Sequence, residues 1–194
     1  MTAPRQEGGR TPRGPAVAVV FDLDGLMFDT EALFHRVAGV VLGRRGKSFT
    51  HEMMQAMLGR RAAEAIPALL KLAGLDESPE DLLAETRSLF HEEMDSAVHP
   101  TPGLFHLLDV LDRRGLPLAV ATSSGRSYAE RLLGGHGLRG RFHQLLTAED
   151  VTQGKPHPEI YRKAAARLGV EPRDMLALED SPAGISAVRA AGAI

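Results

Sequence analysis

Ala16-Val-Ala-Val-Val-Phe21 runs directly into Asp22-Leu-Asp24-Gly25. An apolar, β-branched run of this length reads as a buried strand. The acids Asp22 and Asp24 then emerge where that strand ends. Open α/β sheets bind their ligands at the carboxyl ends of the strands. The first strand therefore aims a pair of carboxylates at a site.

Outward from this stretch the pattern is first helical and then alternating. Leu33, Val37, Val40 and Val41 recur at helical spacing, and Gly43 and Gly46 close that element. A helix is predicted over Ala62 to Leu72, with Pro67 expected to kink or break it. Another starts at Pro79, a good first helical residue, and carries Leu82, Leu83, Thr86, Phe90 and Met94. No strand is expected between Thr30 and Val98, so residues 30–98 read as an all-helical insert. Beyond His99-Pro-Thr-Pro-Gly103, helices Leu104 to Arg113, Tyr128 to Leu133, Glu159 to Leu168 and Ala183 to Ala191 alternate with strands Leu116 to Ala121, Phe142 to Leu146 and Met175 to Leu178. This alternation predicts βαβ units on a parallel sheet, with residues 16–29 and 99–194 forming one α/β core. Gly192-Ala193-Ile194 resembles the entry to another strand, and the expectation is that one or two C-terminal core strands are missing.

Composition narrows the function. The chain has 194 residues, a formal charge of -2 and 43% hydrophobic residues, enough for a core domain with a smaller insert. Aromatics make up 5% and Trp is absent, which argues against a stacking platform for single-stranded nucleic acid. The near-neutral charge argues against a duplex-binding surface. Without cysteine there is neither a disulfide framework nor a thiolate metal site. No apolar run approaches a membrane span. Residues 1–15, rich in Gly, Pro and Arg, read as a disordered leader without a secretory signal, and the expected setting is cytoplasmic. A monomer is the default expectation.

Four polar groupings fall at or just after predicted strand ends. They are Asp22-Leu-Asp24-Gly25, Thr122-Ser123-Ser124-Gly125, Lys155 within Gly154-Lys-Pro156, and Glu179-Asp180. Taken singly each has an ordinary explanation. Asp-x-Asp-Gly is turn chemistry, Thr122 to Ser124 can cap a helix, Lys155 can be a solvated lysine, and Glu179-Asp180 before Ser181-Pro182 makes a helix start. Their convergence on one sheet edge fits phosphoryl transfer instead. A phosphate needs charge neutralisation, donors for its oxygens and an in-line nucleophile. Carboxylates from two strands suit Mg²⁺, hydroxyls and N–H groups suit phosphate oxygens, and Lys155 supplies a positive charge.

In sequence and order, Val-Val-Phe21-Asp22-Leu-Asp24-Gly25, Ala-Thr122-Ser-Ser-Gly, Gly-Lys155-Pro-His-Pro and Leu-Glu179-Asp180-Ser-Pro-Ala-Gly184 resemble the motifs of the haloacid dehalogenase superfamily. The helical insert resembles the small cap of its β-phosphoglucomutase-like branch. The resemblance implies a doubly wound, Rossmann-like parallel sheet and an Mg²⁺-dependent enzyme acting on a small phosphorylated metabolite. By position, Asp22 is the implied nucleophile and Asp24 the general acid/base. Thr122 and Lys155 bind the transferring phosphate, with Gly25, Ser123 and Ser124 beside it. Asp22, Asp24 through its main-chain carbonyl, Glu179 and Asp180 are the implied metal ligands.

The insert matches the mutases less well. Phe34 stands where they carry a histidine, with His35 one residue late. Leu58 and Ala62, around Gly59, stand where they carry a lysine and an arginine. A mutase needs a cationic grip on a distal phosphate. Arg60 and Arg61 are the candidates for it, and both also read as a solvated basic turn. Asp29-Thr-Glu31 and Leu58-Gly-Arg60 look more like the sugar-phosphate and nucleoside-phosphate phosphatases of this branch, so phosphatase is favoured over phosphomutase. A phospho-accepting receiver domain also sets acids, a hydroxyl and a lysine at strand ends, but it has no insert after its first strand. A binding module on a dead enzyme is the other non-catalytic alternative, and none of the matching positions is lost.

Overall fold

The computed structural model describes residues 15–194, so the leader expected at residues 1–15 lies outside the described residues except for Pro15. Four short strands form a parallel sheet: β1 (Ala18–Phe21), β2 (Leu118–Ala121), β3 (Gln144–Leu146) and β4 (Met175–Leu178), in the order β3-β2-β1-β4. Val19 sits opposite both Leu118 and Leu176, and Phe21 opposite Val120 and Leu178, so the strands end level with one another. The amide of Asp22 donates to the Leu178 carbonyl at 2.9 Å and that of Thr122 to Leu146 at 3.0 Å, which fixes the first residue past each strand. At the β4 edge, Ile194 donates to the Met175 carbonyl and accepts from the Ala177 amide, both at 3.0 Å.

Both faces of the sheet are covered. Val19, Phe21, Leu118, Val120 and Leu145 face one apolar cluster, which takes in α5 (Leu104–Arg113) and α6 (Arg126–Gly135). Ala18, Val20, Ala119, Ala121 and Leu146 face a second cluster with α7 (Glu159–Leu168) and α8 (Pro182–Ala191). This is why the strands read as continuous apolar runs: successive side chains point to opposite faces, and both faces are dry. The fold is the expected doubly wound α/β sheet.

The insert consists of α1 (Glu31–Gly43), α2 (His51–Met57), α3 (Ala62–Ala73) and α4 (Pro79–Ala97), with no named strand among them. Its two linkers run side by side. Phe28 bridges Pro100, the Asp29 amide donates to His99 at 3.0 Å, and the Thr101 amide donates to Met27 at 2.9 Å. Thr50 and Ser78 cap α2 and α4 through Met53 and Asp81. Pro67 does not break α3, which runs through it to Ala73. The proline removes one donor in the second turn, and Ala65, Ile66, Leu69 and Leu70, all buried, hold the helix against its neighbours. The α2 segment was not expected as a helix. Strands β2 and β3 start two residues later than the apolar pattern predicts, at Leu118 and Gln144. Among the described residues, no helix is long and apolar enough to cross a membrane.

Candidate active site

Asp22, Thr122 and Glu179 each follow the last residue of a strand, so the level strand ends carry their side chains to one edge. Lys155 arrives from the loop before α7 and is buried, 1% exposed. Its ammonium donates to Asp22 Oδ1 at 2.5 Å and Glu179 Oε2 at 2.6 Å, and lies 5.3 Å from the centre of the Tyr161 ring. Burial works to lower the Lys155 pKa, but the charges of Asp22 and Glu179 outweigh it and raise it well above the usual value. Burial pushes the Asp22 carboxyl up; Lys155 opposes this, and Glu179 and Asp24 add to it.

Glu179 is fully engaged. Its Oε1 accepts from the Ser181 amide at 3.2 Å and the Ser181 hydroxyl at 2.7 Å, while Oε2 accepts from Lys155 and from the Tyr161 hydroxyl. A carboxylate has about four acceptor positions, and these four donors fill them. Burial would raise its pKa, but Lys155, Tyr161 and Ser181 together lower it. Gly184 makes room for this seat: a Cβ there would stand 1.9 Å from the Glu179 carboxyl carbon. Asp180 lies on the open side, its carboxyl raised by burial and by the charge of Glu179. Gly25, at φ +82°, brings its backbone so close to Asp180 that a Cβ would meet Oδ2 at 2.3 Å.

Carboxylate oxygens of Asp22, Glu179 and Asp180 lie within 4.8 Å of one another, but Glu179, expected as a metal ligand, is taken up by Lys155, Tyr161 and Ser181, which leaves Asp22 and Asp180 as the carboxylates free to reach a metal. Three carboxylates against the single Lys155 ammonium leave negative charge that a divalent cation would balance. Hard oxygen donors of this kind suit Mg²⁺.

The hydroxyls of the second motif divide their work. Ser124 Oγ donates to Asp24 Oδ2 at 2.7 Å and Thr122 Oγ1 to the same oxygen at 3.2 Å. Thr122 Oγ1 also accepts from the Ser124 amide at 3.0 Å, so it organises the turn rather than capping α6, whose cap is Gly125. Ser123, expected beside the phosphate, donates instead to the Gly59 carbonyl of the insert at 2.9 Å. Tyr128, which the sequence offered only as a helix start, donates to Asp24 Oδ1 at 2.7 Å.

Asp22, Asp24, Thr122, Ser124, Tyr128 and Asp180 line one side of a cleft of about 580 Å³ between sheet edge and insert. Phe34, Met54, Met57, Ile66 and Phe90 line the other side, with Arg60 at the wall. Arg60 has no side-chain partner among the described residues. Arg61 also reaches the cleft, but its guanidinium is held by Glu64 at 2.6 Å and the Thr152 carbonyl at 3.0 Å. His35 turns instead to the Phe49 ring, 5.3 Å away.

A sequence profile described as haloacid dehalogenase-like hydrolase matches residues 19–193. The chain belongs to that family. Mitochondrial (DL)-glycerol-3-phosphatase 1 of Arabidopsis thaliana is 32% identical over 192 residues, covering 93% of this chain and 63% of that protein. Fructose-1-phosphate phosphatase of Escherichia coli is 34% identical over 178 residues, covering 90% of this chain and 92% of that protein. Among solved structures, CbbY from Rhodobacter sphaeroides in complex with phosphate superposes with a TM-score of 0.80 at 29% identity, over 92% of this chain and 84% of that one. This haloacid dehalogenase-like hydrolase is thus similar in sequence to proteins named as phosphatases of glycerol 3-phosphate and fructose 1-phosphate, and in fold to CbbY.

Proposed function

We propose that this hydrolase cleaves small phosphate monoesters, of sugars or other polyols, through a phosphoryl group carried on Asp22. The supporting observation is that Asp22, Asp24 and Asp180 line a single cleft, with the buried Lys155 ammonium 2.5 Å behind Asp22. The named phosphatases among its relatives support the same class.

Asp22 attacks phosphorus through a carboxylate oxygen. The bond to the ester oxygen breaks, and Asp24 gives that oxygen a proton. A water then attacks the phosphoryl group. Asp24 takes its proton back from that water, the Asp22–phosphorus bond breaks, and orthophosphate leaves. Lys155 holds Asp22 in place and offsets the charge that gathers on the phosphoryl oxygens. Asp22 and Asp180, with the main-chain carbonyl of Asp24, would hold Mg²⁺, which when bound neutralises phosphate charge. The residues 30–98 act as the cap that selects the leaving group.

Asp22→Asn should abolish Mg²⁺-dependent hydrolysis of a panel of sugar and polyol phosphates. Full activity in that variant sinks the nucleophile assignment. A mutase would also need a cationic site for a distal phosphate; Arg61 is engaged with Glu64 and Thr152, which leaves Arg60 at the cleft wall as the candidate. The phosphatase names of the relatives favour hydrolysis, so incubation with β-glucose 1-phosphate and a bisphosphate activator should release orthophosphate faster than it forms glucose 6-phosphate.

A further inference from the structure

Tyr128 is the third residue of α6, whose N-terminus begins just past the carboxyl end of β2. Side chains in a first helical turn lean back toward the N-terminus. This lean carries the Tyr128 hydroxyl over the Thr122-Ser-Ser124 turn to Asp24 Oδ1, 2.7 Å away. The ring meets Phe90 of α4 edge-on, with centroids 5.7 Å apart. Phe90 in turn lies 6.4 Å from Phe34 of α1. The phenol is thus backed by Phe90 of the insert on one side and tied to Asp24 on the other.

We propose that Tyr128 is a positioning residue that aims the Asp24 carboxyl at the ester oxygen. This rests on the role given to Asp24 above. Asp24 has about four acceptor positions, and Ser124, Thr122 and Tyr128 occupy three of them. One position is left for the leaving-group oxygen or for water. Ser124 and Thr122 both hold Oδ2, so Tyr128 alone fixes Oδ1 and with it the rotation of the carboxyl plane. A phenol hydroxyl both donates and accepts, so it holds Asp24 whether the acid carries the proton or has given it up.

The test uses leaving groups that differ in their need for a proton. A sugar alkoxide must be protonated as it departs, whereas 4-nitrophenolate departs without one. For Tyr128→Phe, kcat/KM for the best sugar phosphate of the panel should fall at least about ten-fold, while that for 4-nitrophenyl phosphate changes by less than about three-fold. The thermal midpoint should stay close to that of the wild type, since the ring and its contact with Phe90 remain. Equal losses on both substrates, or no loss on either, would overturn the inference. Asp24→Asn separates the two layers of the argument. If Asp24→Asn discriminates between the substrates and Tyr128→Phe does not, Tyr128 fails as a positioner and Asp24 keeps its role. If Asp24→Asn itself does not discriminate, the acid assignment falls and Tyr128 falls with it. Should Tyr128→Phe prove unstable, Tyr128→His, which retains a ring with a polar edge, should restore part of the discrimination relative to Tyr128→Leu. Identical ratios in those two variants would also overturn the inference.

Discussion

Lys155 places a full positive charge where solvent does not reach it, and the two carboxylates it touches are nearly as buried. Removing one member of such a set leaves the others uncompensated, at a cost of roughly 3–5 kcal/mol. Lys155→Met should therefore lower the urea midpoint substantially as well as abolish turnover. A loss of turnover at unchanged stability would mean that the buried charges are not coupled as described. The divided legibility of the site follows from the same geometry. Asp22, Asp24, Lys155 and Asp180 were visible in sequence because each sits at or near a strand end in a short polar signature. The ties of Tyr128 to Asp24 and Tyr161 to Glu179 were not, because they join residues 104 and 18 positions apart. A tyrosine inside an amphipathic helix carries no local mark of such a partner. Gly184 was visible as part of a motif, but its reason, the bulk of Glu179 against it, belongs to packing alone.

Asp150 works at the scale of elements, closing the turn after β3. Its carboxylate accepts from the Thr147 amide at 2.9 Å and from Arg167 of α7 at 2.8 Å, and it also pairs with Arg126 of α6. Burial would push this acid up, but Arg167 and Thr147, with the charge of Arg126, hold it below its ordinary value of 3.8. A depressed carboxyl stabilises the fold above the unfolded pKa, and that contribution fades as pH drops through the folded pKa. Asp150→Asn should thus lose about 1.5–3 kcal/mol at pH 7, and the gap to wild type should narrow on acidification below about pH 4. Denaturant titrations at neutral and acid pH measure this, and a gap that widens toward acid contradicts it. Elements with two dry faces or long apolar stripes, such as β1, α7 and α8, were legible from pattern alone, as was β4, whose apolar run is half-buried at the sheet edge. The α2 segment was not. It has 7 residues and only two buried positions, Met53 and Met57, so tertiary packing and the Thr50 cap define it more than its periodicity does. The early parts of β2 and β3 failed for the opposite reason: Leu116 and Phe142 are apolar because they pack on the core beside the strands rather than within them.

Across the whole molecule, the insert meets the core at two kinds of seam. The paired linkers around Phe28 and Pro100 join it covalently. On the cleft side, Arg61 reaches the Thr152 carbonyl and Ser123 reaches the Gly59 carbonyl, contacts that tie the insert loop between α2 and α3 to the sheet edge. Arg61→Ala should raise KM by roughly three- to ten-fold with kcat retained, the worth of about one hydrogen bond. A fall in kcat at unchanged KM would instead give Arg61 a part in the chemical step. The chain has no Trp and only two Tyr, and both phenols are hydrogen-bonded to carboxylates of the site. Its tyrosine emission therefore originates beside the reacting groups, where a neighbouring carboxylate quenches an excited phenol. Loading the protein with Mg²⁺ and orthophosphate should change that emission, with Tyr128→Phe and Tyr161→Phe separating the two contributions. An unlabelled solution of this protein is its own optical gauge of site occupancy.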